Sequence, residues 1–319
     1  MFRRENLIKW GPVLVLLLLV LVFTAIEPRF FSLRNFARIG VASAPALMVA
    51  IGVTFVIIMG SIDLSMEGVV STTAVLFALL FLGFGGTLAE FSGWLALPIV
   101  LLLGAVIGYG NGLIHVKLKV PSFMSTLAIG FVGTGFAMML TGGERIRVTD
   151  SIFRGLLTER WLGFPVMVYV ALLATAVGVF IQKKTRLGRN IYAVGGGEEL
   201  AHASGVNVEH VRIMAFMLAG IFYALGAMMT VGRIGIAETT TGADLMFISI
   251  TAVVVGGTAL WGAIGGVTNT LIGVLIVSVI NNGMVVIGLP SYIQDGMLGV
   301  LVIVAVILST DRRSIRFVK

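Results

Sequence analysis

Long apolar stretches recur along the whole chain and are separated by short polar breaks. A helix needs about 20 apolar residues to cross a bilayer, whereas a membrane strand alternates over about ten, so this pattern predicts transmembrane helices and not a barrel. Ten spans are predicted, at about 10–26, 40–59, 69–85, 93–114, 122–140, 163–181, 213–231, 245–260, 267–288 and 293–309. The predicted fold class is an all-α polytopic membrane protein, with one transmembrane domain over 1–319.

Composition supports this prediction and narrows the chemistry. The chain is 58% hydrophobic and 12% charged, whereas soluble domains contain about 25% charged residues. There is no cysteine, no HExxH pattern among the three histidines and no GxxxxGK[ST] phosphate loop. We therefore expect no catalytic residue, no metal site, no cofactor and no nucleic-acid partner. The 41 glycines indicate close helix packing, because small residues let helix backbones approach each other in lipid.

The distribution of Lys and Arg predicts the orientation. With ten spans, 14 of the 22 basic residues fall on the side that carries both termini and 8 on the other. Because basic residues concentrate in cytoplasmic segments, both termini are predicted to be cytoplasmic. The eight on the outer side are Arg29, Arg34, Arg38, Arg145, Arg147, Arg154, Arg160 and Arg233. The group from Arg29 to Arg38 runs against this rule.

The longest polar interval is 182–212, which the predicted orientation places in the cytoplasm. A hairpin between two membrane helices needs only about 2–8 residues, so an interval of this length suggests a function beyond connecting two helices. We interpret it as an element that docks another protein. The alternative interpretation is a merely solvated loop.

The second half of this interval has the pattern of a short helix. The three glycines at 195–197 are expected to break any helix, and Glu198 and Glu199 suit the positive end of a new helix dipole. Gly205 stands where a C-terminal cap belongs. Asn207 can cap the next membrane helix. The prediction is a short helix along the cytoplasmic face, bounded by glycines.

Polar side chains at membrane depth are the other candidates. Asp63 can either cap the third span or act directly in transport, as a proton or ion site. Asn111, Asn281 and Asn282 can either bond neighbouring helices or bind the hydroxyl groups of a substrate in a water-filled path.

The chain also contains a short internal similarity. Residues 51–76 and 250–275 share an apolar segment, a glycine-rich break, Gly-Val and a second apolar segment. Broken helices in both halves are common in transporters, although a glycine-biased match of this length can also arise by chance.

Five motifs resemble the ribose-permease-like family of ABC-transporter permeases for simple sugars. The segments appear in the family's order and span most of the chain: GSIDLS at 60–65, TRLGRNIYAVGG at 185–196, SGVN at 204–207, VVGGT at 254–258 and INNG at 280–283.

This resemblance implies a permease subunit of a bacterial inner-membrane importer. Its implied partners are an ABC ATPase subunit, an extracytoplasmic sugar-binding protein and a second permease subunit, in a homodimer or a heterodimer. The implied ATPase-docking residues are Arg186, Gly188, Arg189, Gly195, Gly196, Glu198, Glu199 and Gly205. The implied signature loop and transport path comprise Asp63, Ser65, Asn111, Asn281 and Asn282.

Several positions depart from the family's pattern, namely Ser61, Glu67, Gly197, Trp261, Ala263 and Asn269. All but Gly197 cluster at the two glycine-rich breaks, as expected for a permease that pairs with a different permease. A branched-chain amino-acid permease and a stand-alone secondary transporter or channel are the alternatives. The IDLS segment argues against the first, and Asp63 motivates the second.

Overall fold

The computed structural model describes residues 4–309, and the basic residues Arg312, Arg313, Arg316 and Lys319 lie outside them. Helices dominate this part of the chain. They are α1 (Arg4–Ile26), α2 (Leu33–Ile58), α3 (Met66–Gly83), α4 (Phe91–Trp94), α5 (Ala96–Lys117), α6 (Ser122–Thr141), α7 (Ser151–Thr158), α8 (Val166–Lys184), α9 (Arg186–Gly196), α10 (Glu198–Ala203), α11 (Val208–Ile234), α12 (Ala243–Val255), α13 (Val267–Val286) and α14 (Ser291–Ser309).

Seven helical segments of the described chain are long and apolar enough to cross a membrane: α2, α3, α4 with α5, α6, α8, α11 and α13. Each coincides with one of the ten predicted spans. The other three predicted spans fall on α1, α12 and α14. The apolar part of α12, Leu245–Val255, is too short to cross a bilayer alone. The all-α polytopic membrane fold is confirmed.

Short strand pairs close one end of the bundle. Strand β1 (Ile146–Arg147) pairs antiparallel with β4 (Ile236–Ala237), and β2 (Arg160–Trp161) pairs with β3 (Phe164–Pro165). Because α11 begins just after α10 and ends just before β4, the strands lie at the end opposite α9 and α10. We call these two ends the α9–α10 face and the strand face.

Helices α2 and α11 form the centre of the bundle. Gly104, Gly108 and Gly112 of α5 lie along α11, and an added Cβ at each would meet the backbone of Gly220, Phe216 or Ile213. This contact confirms the expectation that small residues mark close helix packing.

The prediction that the glycines at 195–197 break any helix is wrong for two of the three. Helix α9 continues through Gly195 and Gly196 and ends only at Gly197. The reason is tertiary, since at Gly195 the helix approaches backbone atoms of other segments so closely that a Cβ has no room. Glycine is needed at this position because it lets two backbone segments approach closely, and not because it makes the chain flexible.

Candidate functional site

Helices α9 and α10 form most of the long polar interval, and local hydrogen bonds fix their ends. The Thr185 side chain caps α9 by accepting from the Gly188 N–H, at 3.1 Å. Gly205 adopts a left-handed φ of 81°, and the Val206 N–H returns to the Ala201 carbonyl at 3.0 Å. The Asn207 side chain then caps α11. These contacts confirm the predicted short helix and its caps.

The exposed surface of α9 and α10 is polar, with one large apolar side chain on it. Arg186 and Arg189 of α9 and Glu199 of α10 are exposed, whereas Gly188 is buried under the end of α8. Leu200 is 75% exposed and is the one large hydrophobic side chain of α9 and α10 that is exposed. It is the centre of the candidate docking surface.

An open groove of about 1530 Å³ lies beside α10. One wall comes from α10 and the start of α11. The other comes from the end of α5, with His115, and from the α5–α6 connection, with Lys119 and Pro121. Two ion pairs border the groove, Glu198 with Arg212 at 2.6 Å and Lys117 with Glu209. The groove therefore offers charges of both signs, which suits a protein surface better than a small ligand of one charge.

The two glycine-rich breaks meet directly beneath α9. The first break connects α2 to α3, and the second connects α12 to α13. The Ala263 N–H of the second break donates to the Ile58 carbonyl at the end of α2, at 2.8 Å. A Cβ built on Gly195 would lie against that same carbonyl and 2.9 Å from the Ala263 nitrogen. We call this meeting point of Ile58, Gly195 and Ala263 the junction.

A side-chain relay joins α8 and α9 to the second break. The Tyr192 hydroxyl donates to the Gly265 carbonyl at 2.6 Å and accepts from the Gln182 amide. The Gln182 carbonyl oxygen accepts from the Val267 N–H, at the start of α13, at 2.8 Å. Burial raises the pKa of Tyr192, so its hydroxyl keeps the proton that this relay requires. The relay thereby connects α9 to the start of α13.

The first break is locked by a buried polar cluster. The Asp63 carboxylate accepts from the Ser65 N–H at 2.8 Å, from the Ser65 hydroxyl at 2.6 Å and from the Tyr223 hydroxyl of α11 at 2.9 Å. The Asn111 amide of α5 donates to the Ser65 hydroxyl at 3.1 Å. This carboxylate holds α11 and the start of α3 together, and its environment favours a structural role over that of an ion site.

The asparagines proposed for the transport path do not converge. Asn111 lies in the Asp63 cluster, and its side-chain oxygen is buried without a partner among the described residues. Asn282 instead accepts from Asn35 at 2.8 Å, near the start of α2 on the strand face. Asn281 is its neighbour in α13, and its side-chain oxygen also lacks a described partner. The two groups therefore belong to different ends of the bundle.

Sequence reasoning did not single out Gln182, Tyr192 or Tyr223. Tyr192 lies inside the motif at 185–196 and Gln182 opens the polar interval, so both positions carried a weak signal. For Tyr223 the only signal was a single hydroxyl group in an apolar segment. A tyrosine hydroxyl usually has a hydrogen-bond partner when it is buried.

A family profile and several relatives match the chain. The profile is described as the permease component of the branched-chain amino acid transport system, and it matches residues 35–306. No solved structure gave a significant match.

The relatives align along nearly the whole chain. The ribose import permease protein of Haemophilus influenzae is 34% identical, with 94% of this chain and 93% of the relative covered. A probable ABC transporter permease protein of Escherichia coli is 36% identical, with 98% and 93% covered. The galactose/methyl galactoside import permease protein of the same species is 35% identical, with 94% and 93% covered. The resemblance seen in the motifs is thus confirmed, and the chain belongs to this family of ABC-transporter permease components.

Proposed function

We propose that this chain forms the membrane path of a binding-protein-dependent ABC importer for a monosaccharide or a related polyol. ATP hydrolysis takes place in a partner ATPase, and the chain itself makes and breaks no bonds. ATPase closure pushes on α9 and α10, and the helices tilt between inward-open and outward-open states. Uptake that persists in liposomes without any ATPase would instead support the alternative of a stand-alone transporter.

The junction is the observation that carries this proposal. It brings the candidate docking element into backbone contact with both glycine-rich breaks, and therefore with α2, α3, α12 and α13 at once. The Tyr192 relay adds a second connection to α13. An external force on α9 consequently reaches four helices through short and stiff contacts.

The proposed topology has ten spans with both termini in the cytoplasm of a bacterial cell. The α9–α10 face is then cytoplasmic and meets the ATPase, while the strand face meets the extracytoplasmic binding protein. A second permease subunit, identical or different, completes the path. The departures Ser61, Trp261 and Ala263 lie at or beside the junction and favour a different partner.

Docking through α10 predicts a large effect of a charge at Leu200. In Leu200→Asp the apolar anchor is lost, and anchors of this kind contribute about 2 kcal/mol, or about 30-fold in affinity. Co-purification of the ATPase subunit and ATP-driven sugar uptake should both fall, while the permease level in the membrane stays normal.

Leu118→Asp is the matched control for this variant. Leu118 is 69% exposed on the same face but does not line the groove beside α10. Equal ATPase recovery and uptake for the two variants would contradict docking through α10.

The comparisons point to two substrate classes. The family description names branched-chain amino acids, whereas the closely matching relatives described above carry the names ribose and galactose. We favour the sugar class because the relatives align along nearly the full chain. Competition of uptake in the complete importer decides between them, since unlabelled ribose or galactose should compete and leucine should not.

Arginines of the strand face are candidates for contact with the binding protein. Arg147 is exposed on β1, whereas Arg145 is paired with Glu238 at 2.6 Å. If Arg147 meets carboxylates of the binding protein, affinity should fall several-fold between about 50 and 300 mM salt, because ionic strength screens exposed charges. Surface plasmon resonance on the reconstituted importer measures this, and a salt-independent affinity would contradict the contact.

A further inference from the structure

Three arginines of the strand face converge on one small cleft. Arg38 of α2, Arg160 of β2 and Arg233 near the end of α11 line a cavity of about 270 Å³. These residues are far apart in sequence, so only the fold brings them together. Among the side chains that the structure describes, none of the three takes part in a salt bridge.

This convergence has an energetic cost that a bound anion would relieve. Arg38 and Arg160 are exposed, whereas Arg233 is half-buried. Like charges that line one cavity repel each other, and burial adds to the cost at Arg233. Arginine forms two parallel hydrogen bonds to phosphate or carboxylate oxygens and is more weakly hydrated than lysine, so it is the residue of choice at such sites. The cleft therefore has the chemistry of an oxyanion site.

The remaining walls of the cleft are apolar. They consist of Ala37, Val41 and Ala42 along α2, together with Pro165, the last residue of β3. Ala42 is exposed on a helix long enough to span the membrane, one turn deeper than Arg38. A ligand in this cleft would thus contact guanidinium groups at one end and an apolar helix surface at the other.

Aromatic side chains next to the cleft are of the kind that concentrates at the depth of lipid headgroups. Trp161 follows Arg160 directly and is exposed. Its ring lies 5.2 Å from that of Tyr169, whose hydroxyl donates to the Trp161 carbonyl at 2.8 Å. Trp and Tyr concentrate where a membrane meets water, because their rings are apolar and their polar groups need hydrogen bonds.

We propose that Arg38, Arg160 and Arg233 bind the phosphodiester headgroup of an anionic phospholipid, with the acyl chains along Ala42 and α2. This site accounts for three of the eight arginines on the side that the positive-inside rule disfavours. The assignment of the site to the outer leaflet depends on the proposed orientation. The existence of the site does not depend on that orientation. The apolar walls favour a lipid over free phosphate, and the small volume favours a headgroup over a folded partner.

The test is lipid-dependent stability of the purified full-length permease in neutral detergent. Added phosphatidylglycerol should raise the unfolding temperature by about 5 °C, as expected for a ligand well above its dissociation constant. Phosphatidylcholine and 10 mM inorganic phosphate, as separate additions, should not. In the double variant Arg38→Gln/Arg233→Gln the phosphatidylglycerol shift should vanish, and native mass spectrometry should show loss of the bound lipid.

The control is Arg29→Gln/Arg147→Gln, which removes the same charge from the same face but not from the cleft. It should keep the full shift. An equal shift in both double variants would overturn the site, because it would show nonspecific charge attraction. A shift with inorganic phosphate alone would overturn the lipid as ligand.

If the cleft variant is too unstable to purify, the single variant Arg160→Gln is measured in its place. It should lose most of the shift in unfolding temperature, and a full shift in this variant would equally overturn the proposal.

Discussion

Replacing Gly195 by alanine should reduce ATP-driven uptake at least tenfold, although only one methyl group is added. A Cβ at this position meets the Ile58 carbonyl and lies 2.9 Å from the Ala263 nitrogen, and both are backbone atoms that no rotamer change can move. Overpacking of this kind costs about 1–3 kcal/mol, so α9 should separate from the two breaks. Uptake of labelled sugar by the complete importer measures the effect, with the permease level checked in the same membranes.

Gly196→Ala is the matched control, since it makes the same substitution one residue later. There the nearest atom to the added Cβ is the Ala263 methyl group at 3.8 Å, an ordinary contact. Uptake should remain close to wild type. Normal uptake in Gly195→Ala, or an equal loss in both variants, would contradict the role of the junction. ATP hydrolysis that continues while uptake is lost would identify the defect as one of coupling.

Replacing Tyr223 by phenylalanine should destabilise the permease by about 2 kcal/mol, because a buried carboxylate loses a hydrogen-bond donor. The hydroxyl of Tyr223 lies 2.9 Å from Asp63, which is buried, so water cannot take its place without repacking. For a chain of 319 residues the unfolding temperature should fall by roughly 3 °C. Thermal unfolding of the detergent-purified protein measures it.

Coupling between the two residues provides the decisive measurement. The double variant Asp63→Asn/Tyr223→Phe should lose clearly less than the sum of the single variants, as is typical of residues in direct contact. Tyr169→Phe is the control, because it removes a hydroxyl from an exposed hydrogen bond to the Trp161 carbonyl and should shift the unfolding temperature little. Additive effects of Asp63 and Tyr223 would show that the cluster does not hold the first break to α11.

Much of this architecture can be predicted from local sequence. Apolar length indicates the spans because a bilayer requires about 20 apolar residues, and the seven long helices coincide with predicted ones. The short helix α10 follows from its own residues, since Gly205 and Asn207 cap through hydrogen bonds to neighbours a few positions away. Capping interactions join residues that are close together in the sequence, so the local sequence is sufficient to predict them.

Contacts between distant segments could be recognised only in part. The glycine stripe of α5 indicated close packing but not its partner, which is α11. The prediction of a break at Gly195 and Gly196 was wrong. Glycine lowers helix propensity locally, but at Gly195 the junction requires a residue without a Cβ, and α9 continues through both positions.

The sequence by itself determined the membrane class, the long helices, the capped short helix α10 and the family resemblance, because each rests on local pattern or on ordered motifs. Only the tertiary structure decided that both glycine-rich breaks meet α9, that Asp63 is bonded to Tyr223, and that Asn111 and Asn282 lie apart. The physical reason is that hydrogen bonds and steric contacts act over a few ångströms in space. Residues 160 positions apart in the chain, as in the pair Asp63 and Tyr223, come within that range only through the packing of whole helices.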